Sequence, residues 1–330
     1  MKLFYNLILS TVFLFSIPFS ASAQKDIPAV LDSVITLEKA PGKDTVKVGV
    51  YVTSIYSLGF AQNDFGIDYW VWYIYNDSTL TPLETTEIVN SESVSKDFAS
   101  TEFKGNVYWA THKCSAMIKK NWDIGRFPLD GQTLDVLMEE TVMDTSKLVY
   151  IADTANSKID KSVQLSGWKI SDFKLLPSNY TYNTTYGDPT LQGNSSYARL
   201  SISTKIERES KNIFLKLFLG LYVAFLIALS VFFLDGAEIG ARVSLSVGAL
   251  FASVGNKYIV DSSLPDHSSF TIVDKIHDVT FALILLSIVF SIIANGIDKK
   301  WDVKRTKKFD LACFVFLMLA YAFAHFIIIK

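Results

Sequence analysis

The residue types that usually carry catalysis are scattered in this sequence. Its four histidines (112, 267, 277 and 325) fall at no metal-ligand spacing. No nucleophile–base pair, Gly-rich phosphate loop or pair of catalytic acids stands out, so no enzyme, metal or cofactor is expected. The chemistry on offer lies elsewhere. In "DYWVWYIYND" (68–77) Trp70 and Trp72 sit two apart in a strand pattern, so both rings leave one face. Indole rings attract organic cations by ~0.5–2 kcal/mol each. Composition alone would instead read the two rings as sandwich core or a tyrosine-rich interface.

A second candidate is "GARVSLSVGALFASVGNKYIVDS" (240–262), which carries Ser, Gly, Asn and Lys among strongly apolar neighbours. At 100° per residue from Ser244, the residues Gly248, Phe251, Gly255, Tyr258 and Ser262 fall within roughly 40° of it. Leu245, Val247, Leu250, Val254 and Ile259 occupy the other faces. Such a stripe serves either tight helix packing through small residues or a water-facing surface with Phe251 as an apolar constriction. Taken alone, the stripe favours packing. Arg242 at the cytoplasmic end decides nothing, since a snorkelling Arg would look the same, and Lys257 points off the stripe, toward the outer interface or a neighbouring chain.

The elements that must position these residues follow from composition. Of 330 residues 50% are hydrophobic, and they are bunched toward the C-terminal third, the mark of a membrane protein with a soluble portion. A net charge of −2 implies no nucleic-acid partner. Residues 1–23, "MKLFYNLILSTVFLFSIPFSASA", read as a signal peptide that ends in a small-residue cleavage site, with a first membrane anchor as the alternative. Cys114 and Cys313 lie in an exported and an apolar region respectively, so no disulfide is expected.

Residues 24–211 read as an all-β sandwich. "YARLSISTKIE" and "TLDVLME" alternate between apolar and polar, and turn clusters separate the short strands. Residues 212–330 read as a membrane domain. Apolar runs at 213–234, 275–296 and 309–329 can each span a ~30 Å hydrocarbon core. The loop after the third run is rich in Lys and Arg and belongs in the cytoplasm. It gets there only if 243–261 also crosses, which makes four spans with both termini outside an inner (plasma) membrane.

Several motifs then resemble, in order and nearly throughout the mature chain, the pentameric ligand-gated ion channels (the Cys-loop receptor superfamily). "RFPLDGQTLDV" (126–136) is similar to that family's Phe-Pro-x-Asp signature loop. "DYWVWYIYND", "GWKISDF", "KIERESKNIFLKLF" and "ARVSLSVGALF…SSLP" resemble the aromatic strand, a later strand, the strand-to-membrane junction and the pore helix. The sequence departs from the animal receptors. Lys120 and Leu134 stand where those carry cysteines, Ser210 stands in place of a proline at the first span, and "MEETV" replaces an aromatic position. These departures and the short cytoplasmic loop look prokaryotic.

The resemblance implies a homopentamer in a lipid bilayer whose second span lines an ion pore through Ser244, Gly248, Phe251, Gly255, Tyr258 and Ser262. It implies a small-molecule agonist site that includes Trp70 and Trp72, Glu139 twelve residues after Phe127, and Tyr182 and Tyr186 in a capping loop. An amine is the ligand class such residues would suit. By residue type alone Glu139 reads as a surface acid, and the two tyrosines as loop residues. Phe127, Pro128, Asp130, Arg208 and Pro265 would couple the sandwich to the pore, with Asp130 and Arg208 meeting near the membrane. A non-conducting membrane sensor of the same fold is the alternative. Ion selectivity stays open between "ARV", which resembles the anion-selective members, and the nearby Glu238.

Overall fold

The computed structural model describes residues 42–330 apart from 188, 190–192, 263, 265–269 and 301–302. Residues 1–23, expected to be a leader, and Pro265 lie outside the described residues. Among the described residues ten strands form two sheets. One runs in the order β4 (Ser91–Lys104), β5 (Val107–Lys119), β2 (Asp64–Tyr75), β1 (Asp44–Gly59), β7 (Leu148–Ala152), with β8 (Lys158–Ile159) also on β1. The other runs β3 (Thr86–Ile88), β6 (Gly131–Asp144), β10 (Ser195–Arg208), β9 (Trp168–Tyr182). All pairings are antiparallel except those of β1 with β7 and β8.

Period-two alternation makes this a sandwich. Val46, Val48, Val50 and Val52 of β1 and Phe65, Ile67, Tyr69, Val71 and Tyr73 of β2 are buried. So are Leu134, Val136 and Met138 of β6 and Ala198, Leu200, Ile202 and Ile206 of β10, all in the same apolar cluster. That alternation puts Trp70 and Trp72 on the outward face of β2, outside the core. Cys114 and Cys313 are both buried free thiols.

Four long apolar helices follow: α1 (Ser210–Ser230, continued by a 3₁₀ turn at Val231–Phe233), α2 (Ile239–Asp261), α3 (Ile272–Lys300) and α4 (Val303–Ile329). Each is long and apolar enough to cross a membrane, α2 included. The apolar core of the sandwich continues into Phe218 and Leu221 of α1, Val260 of α2, and Ile272, Val273 and Ile276 of α3. Sandwich and helix ends thus share one contiguous cluster, which can transmit a displacement because packed interiors resist compression.

Candidate functional site

Glu139 pairs with Arg199 across the β6–β10 ladder. The carboxylate is only 4% exposed, so it is no surface acid. Arg199 Nε donates to Oε2 at 2.7 Å, and Tyr182 Oη donates to Oε1 at 2.6 Å. The guanidinium lies over the Tyr180 ring, 3.9 Å from its centroid. Tyr182 meets Tyr180, Tyr186 and Tyr197 edge-on at 4.8, 5.7 and 6.0 Å. Burial, and then the Glu139 carboxylate, push the Tyr182 phenol up to about 12. Four phenol rings thus surround an ion pair that is already neutral. Tyr186, at positive φ, is the exposed rim of the cluster.

Trp70 and Trp72 lie on the outer side of the other sheet. Trp72 is paired with Gly49 on β1. A Cβ at Gly49 would come within 2.2 Å of the indole, so only glycine lets the ring lie flat there. The ring nitrogen then donates to Asp153 at 3.1 Å, and Lys47 holds the same carboxylate at 2.9 Å. Trp70 faces Phe98 of β4 at 6.2 Å. Within one chain the tryptophans and the Glu139 cluster therefore occupy opposite outer faces of the sandwich.

At the end of the sandwich next to the helices, Arg208 forks onto Asp130, with Nε–Oδ1 at 2.6 Å and Nη2–Oδ2 at 3.1 Å. Gln132 Nε2 donates to the same carboxylate at 2.8 Å. Trp168, Phe60 and Phe127 stack around the guanidinium at 4.0, 4.9 and 4.9 Å. Phe60, in the turn between β1 and β2, also stacks on Trp122 at 4.2 Å. Pro128, joined to Phe127 by a cis peptide, completes this corner, which belongs to the contiguous apolar cluster.

Helix α2 has two unlike faces. Ser244, Gly248, Phe251, Gly255, Tyr258 and Ser262 are all exposed, Phe251 by 73% and Tyr258 by 76%. A Cβ at Gly248 or Gly255 would meet nothing within 4 Å. Roughly half a turn away, Arg242, Ser246, Ala249, Ser253 and Val260 are buried. Polar contacts fasten that face. Ser246 Oγ meets Ser287 of α3 at 3.2 Å, and Asn256 Oδ1 meets His277 Nε2 of α3 at 3.0 Å. Lys257 bonds Asp261 and Asp274, the latter on α3. Arg242 does not snorkel; its guanidinium is fully buried against Asp310 of α4.

Sequence reasoning missed Arg199, Tyr180 and Tyr197, because only strand register reveals which outward residues stand opposite Glu139. It also missed Asp310, although a lone acid opening an apolar run ("KKFDLACFVF") is a signal for a buried partner. Among the described residues no group of three or more His, Cys, Asp or Glu side chains is placed to hold a metal.

No family model matches the chain. A curated protein to which it is similar is a proton-gated ion channel of Gloeobacter violaceus, 22% identical over 244 residues. The match covers 67% of this chain and 64% of that protein. The chain is thus a distant relative, and the match spans less than two thirds of that channel's length.

Proposed function

We propose that this chain is one subunit of a homopentameric ligand-gated ion channel in which ligand binding to the sandwich opens a pore lined by α2. The observation that carries this reading is the division of α2 into a fastened back and an open front. Small and hydroxyl side chains on an uncovered face of a membrane helix suit a wall of water. A single chain cannot enclose water with one stripe, and a head-to-tail ring can. The distant likeness to a proton-gated channel supports the same reading.

In this account residues 24–211 form the ligand-binding domain outside an inner (plasma) membrane, after removal of the leader at 1–23. Residues 212–330 form the membrane domain, and the basic loop between α3 and α4 lies in the cytoplasm. A ring brings Trp70 and Trp72 of one copy toward the Glu139, Tyr182 and Tyr186 cluster of the next. A small agonist, such as an amine held by aromatic faces, binds between them. Because Arg199 already neutralises Glu139, the rings supply most of the attraction for a cation, and Glu139 acts through the pair. Phe127, Pro128, Asp130 and Arg208 transmit the movement to the outer ends of the helices, with Pro265 in the loop they press upon. Phe251 is the barrier.

The test is native mass spectrometry of the detergent-solubilised protein, followed by planar-bilayer recording under pH steps and a panel of small amines. Pentamers that conduct on one of these stimuli are expected. Pentamers silent to every stimulus and equally silent as the Phe251→Ala variant would point to a non-conducting sensor. Only monomers or dimers across several mild detergents would overturn the assembly.

A further inference from the structure

Among the described residues, the largest fully buried side chain is a charged one, Arg242, in the first turn of α2. Its partner is on the fourth helix. Nη1 donates to Asp310 Oδ1 at 2.8 Å and Nη2 to Oδ2 at 2.7 Å, a two-pronged grip. The same guanidinium also donates to the carbonyls of Leu234 and Asp235, at 2.5 and 3.2 Å, in the turn that joins α1 to α2. That turn is held from outside as well. Asn295 of α3 donates to the Gly236 carbonyl at 2.9 Å, and a Cβ on Gly236 would come within 2.7 Å of Thr306 of α4.

The electrostatic consequence lies at one end of the exposed stripe. Arg242 is two residues from Ser244, and its charge is permanent, since guanidinium does not deprotonate in proteins. Asp235 and Glu238 on the same turn are exposed and make no ion pair among the described residues. With Asp310 in place, the Arg242 charge is cancelled, and the turn presents two acids. Without Asp310, five uncompensated arginine charges would lie buried behind the inner mouth.

Resting on the proposed channel reading, we propose that Asp310 determines the ion selectivity of the pore although it sits on a helix that does not line it. By cancelling Arg242 it leaves Asp235 and Glu238 to set the field at the cytoplasmic mouth, and the pore prefers cations. The stripe supplies the path, and a buried acid behind it decides which sign of ion takes that path.

The experiment is the reversal potential of the reconstituted pentamer under a KCl gradient. Wild type should reverse near the potassium potential. Asp310→Asn should lower the K⁺/Cl⁻ permeability ratio roughly tenfold, equivalent to about 1.4 kcal/mol at the mouth. Arg242→Gln, which leaves the acid uncompensated, should move it the other way. The double variant should return close to wild type. A merely structural pair would shift both single variants in the same direction or neither. Should Asp310→Asn fail to assemble, Arg242→Gln and the double variant carry the test alone. Wild-type reversal near the chloride potential, conducting single variants with the wild-type reversal, or a double variant that keeps a single-variant shift, overturns the proposal while leaving the channel reading intact. A wild-type pentamer that never conducts removes both.

Discussion

The front and back of α2 both carry serines, yet the structure treats them oppositely. On the back, Ser246 and Ser253 spend their hydroxyls inside the bundle, on Ser287 and on the Ala249 carbonyl. The rear of the helix is also held at both ends, by Arg242–Asp310 and Lys257–Asp274. On the front, Ser244 and Ser262 are exposed, and two glycines flank a bare phenyl ring. Residue type therefore does not separate a packing serine from an exposed one. Phase around the helix does.

This contrast can be broken at several points. The largest effect is expected at Phe251. Phe251→Ala removes a ring that would make an apolar, poorly hydrated belt, and resting current per surface pentamer should rise from near zero to a readily measured level. Leu250→Ala, on a residue partly buried against the apolar core of the helical bundle, should lower expression without leak. A silent Phe251→Ala beside a leaking Leu250→Ala would mean the faces are interchanged.

Next in size is Arg208→Gln, which strands the buried Asp130 carboxylate. Breaking such a pair costs about 3–5 kcal/mol, read as a lower unfolding midpoint. Agonist-evoked current should vanish, while leak through a Phe251→Ala, Arg208→Gln double variant should persist. Loss of that leak would place Arg208 in the barrier rather than in the drive toward it. On the back of α2, Ser246→Leu should cost about 1–3 kcal/mol by overpacking against Ser287, with unit conductance unchanged; altered conductance would put Ser246 on the pore. Smallest is Lys257→Met, whose partly exposed tether should contribute no more than about 1 kcal/mol. A larger loss in thermal unfolding would show that the outer end is held more firmly than its exposure implies.

Much of this architecture is legible in the sequence. The alternation in β10 and the four apolar helices need only period and hydropathy. The helical phase of Ser244 through Ser262 is equally local, since one angle per residue fixes it. What the sequence hides is long-range pairing. Arg199 opposite Glu139, 60 residues away, and Asp310 opposite Arg242, 68 residues away, depend on register and on which helix lies behind which. Arg242 illustrates the cost of reading locally. At the end of an apolar segment a snorkelling and a buried arginine look the same in the sequence, and only the position of α4 turns this one inward. The approach of Trp70 to Tyr182 in the proposed ring would be more remote still, because it would lie between copies and not within one.

The most direct test of the central claim is cysteine accessibility along α2, in a background with Cys114→Ala and Cys313→Ala. Single substitutions Ser244→Cys, Gly248→Cys, Gly255→Cys and Ser262→Cys would be compared with Ser246→Cys, Ala249→Cys and Ser253→Cys. A charged, water-soluble thiol reagent is applied to open pentamers while current is recorded. The account predicts rapid, irreversible block at the first four positions and none at the last three. Block at the last three, or equal reactivity all round the helix, would contradict it.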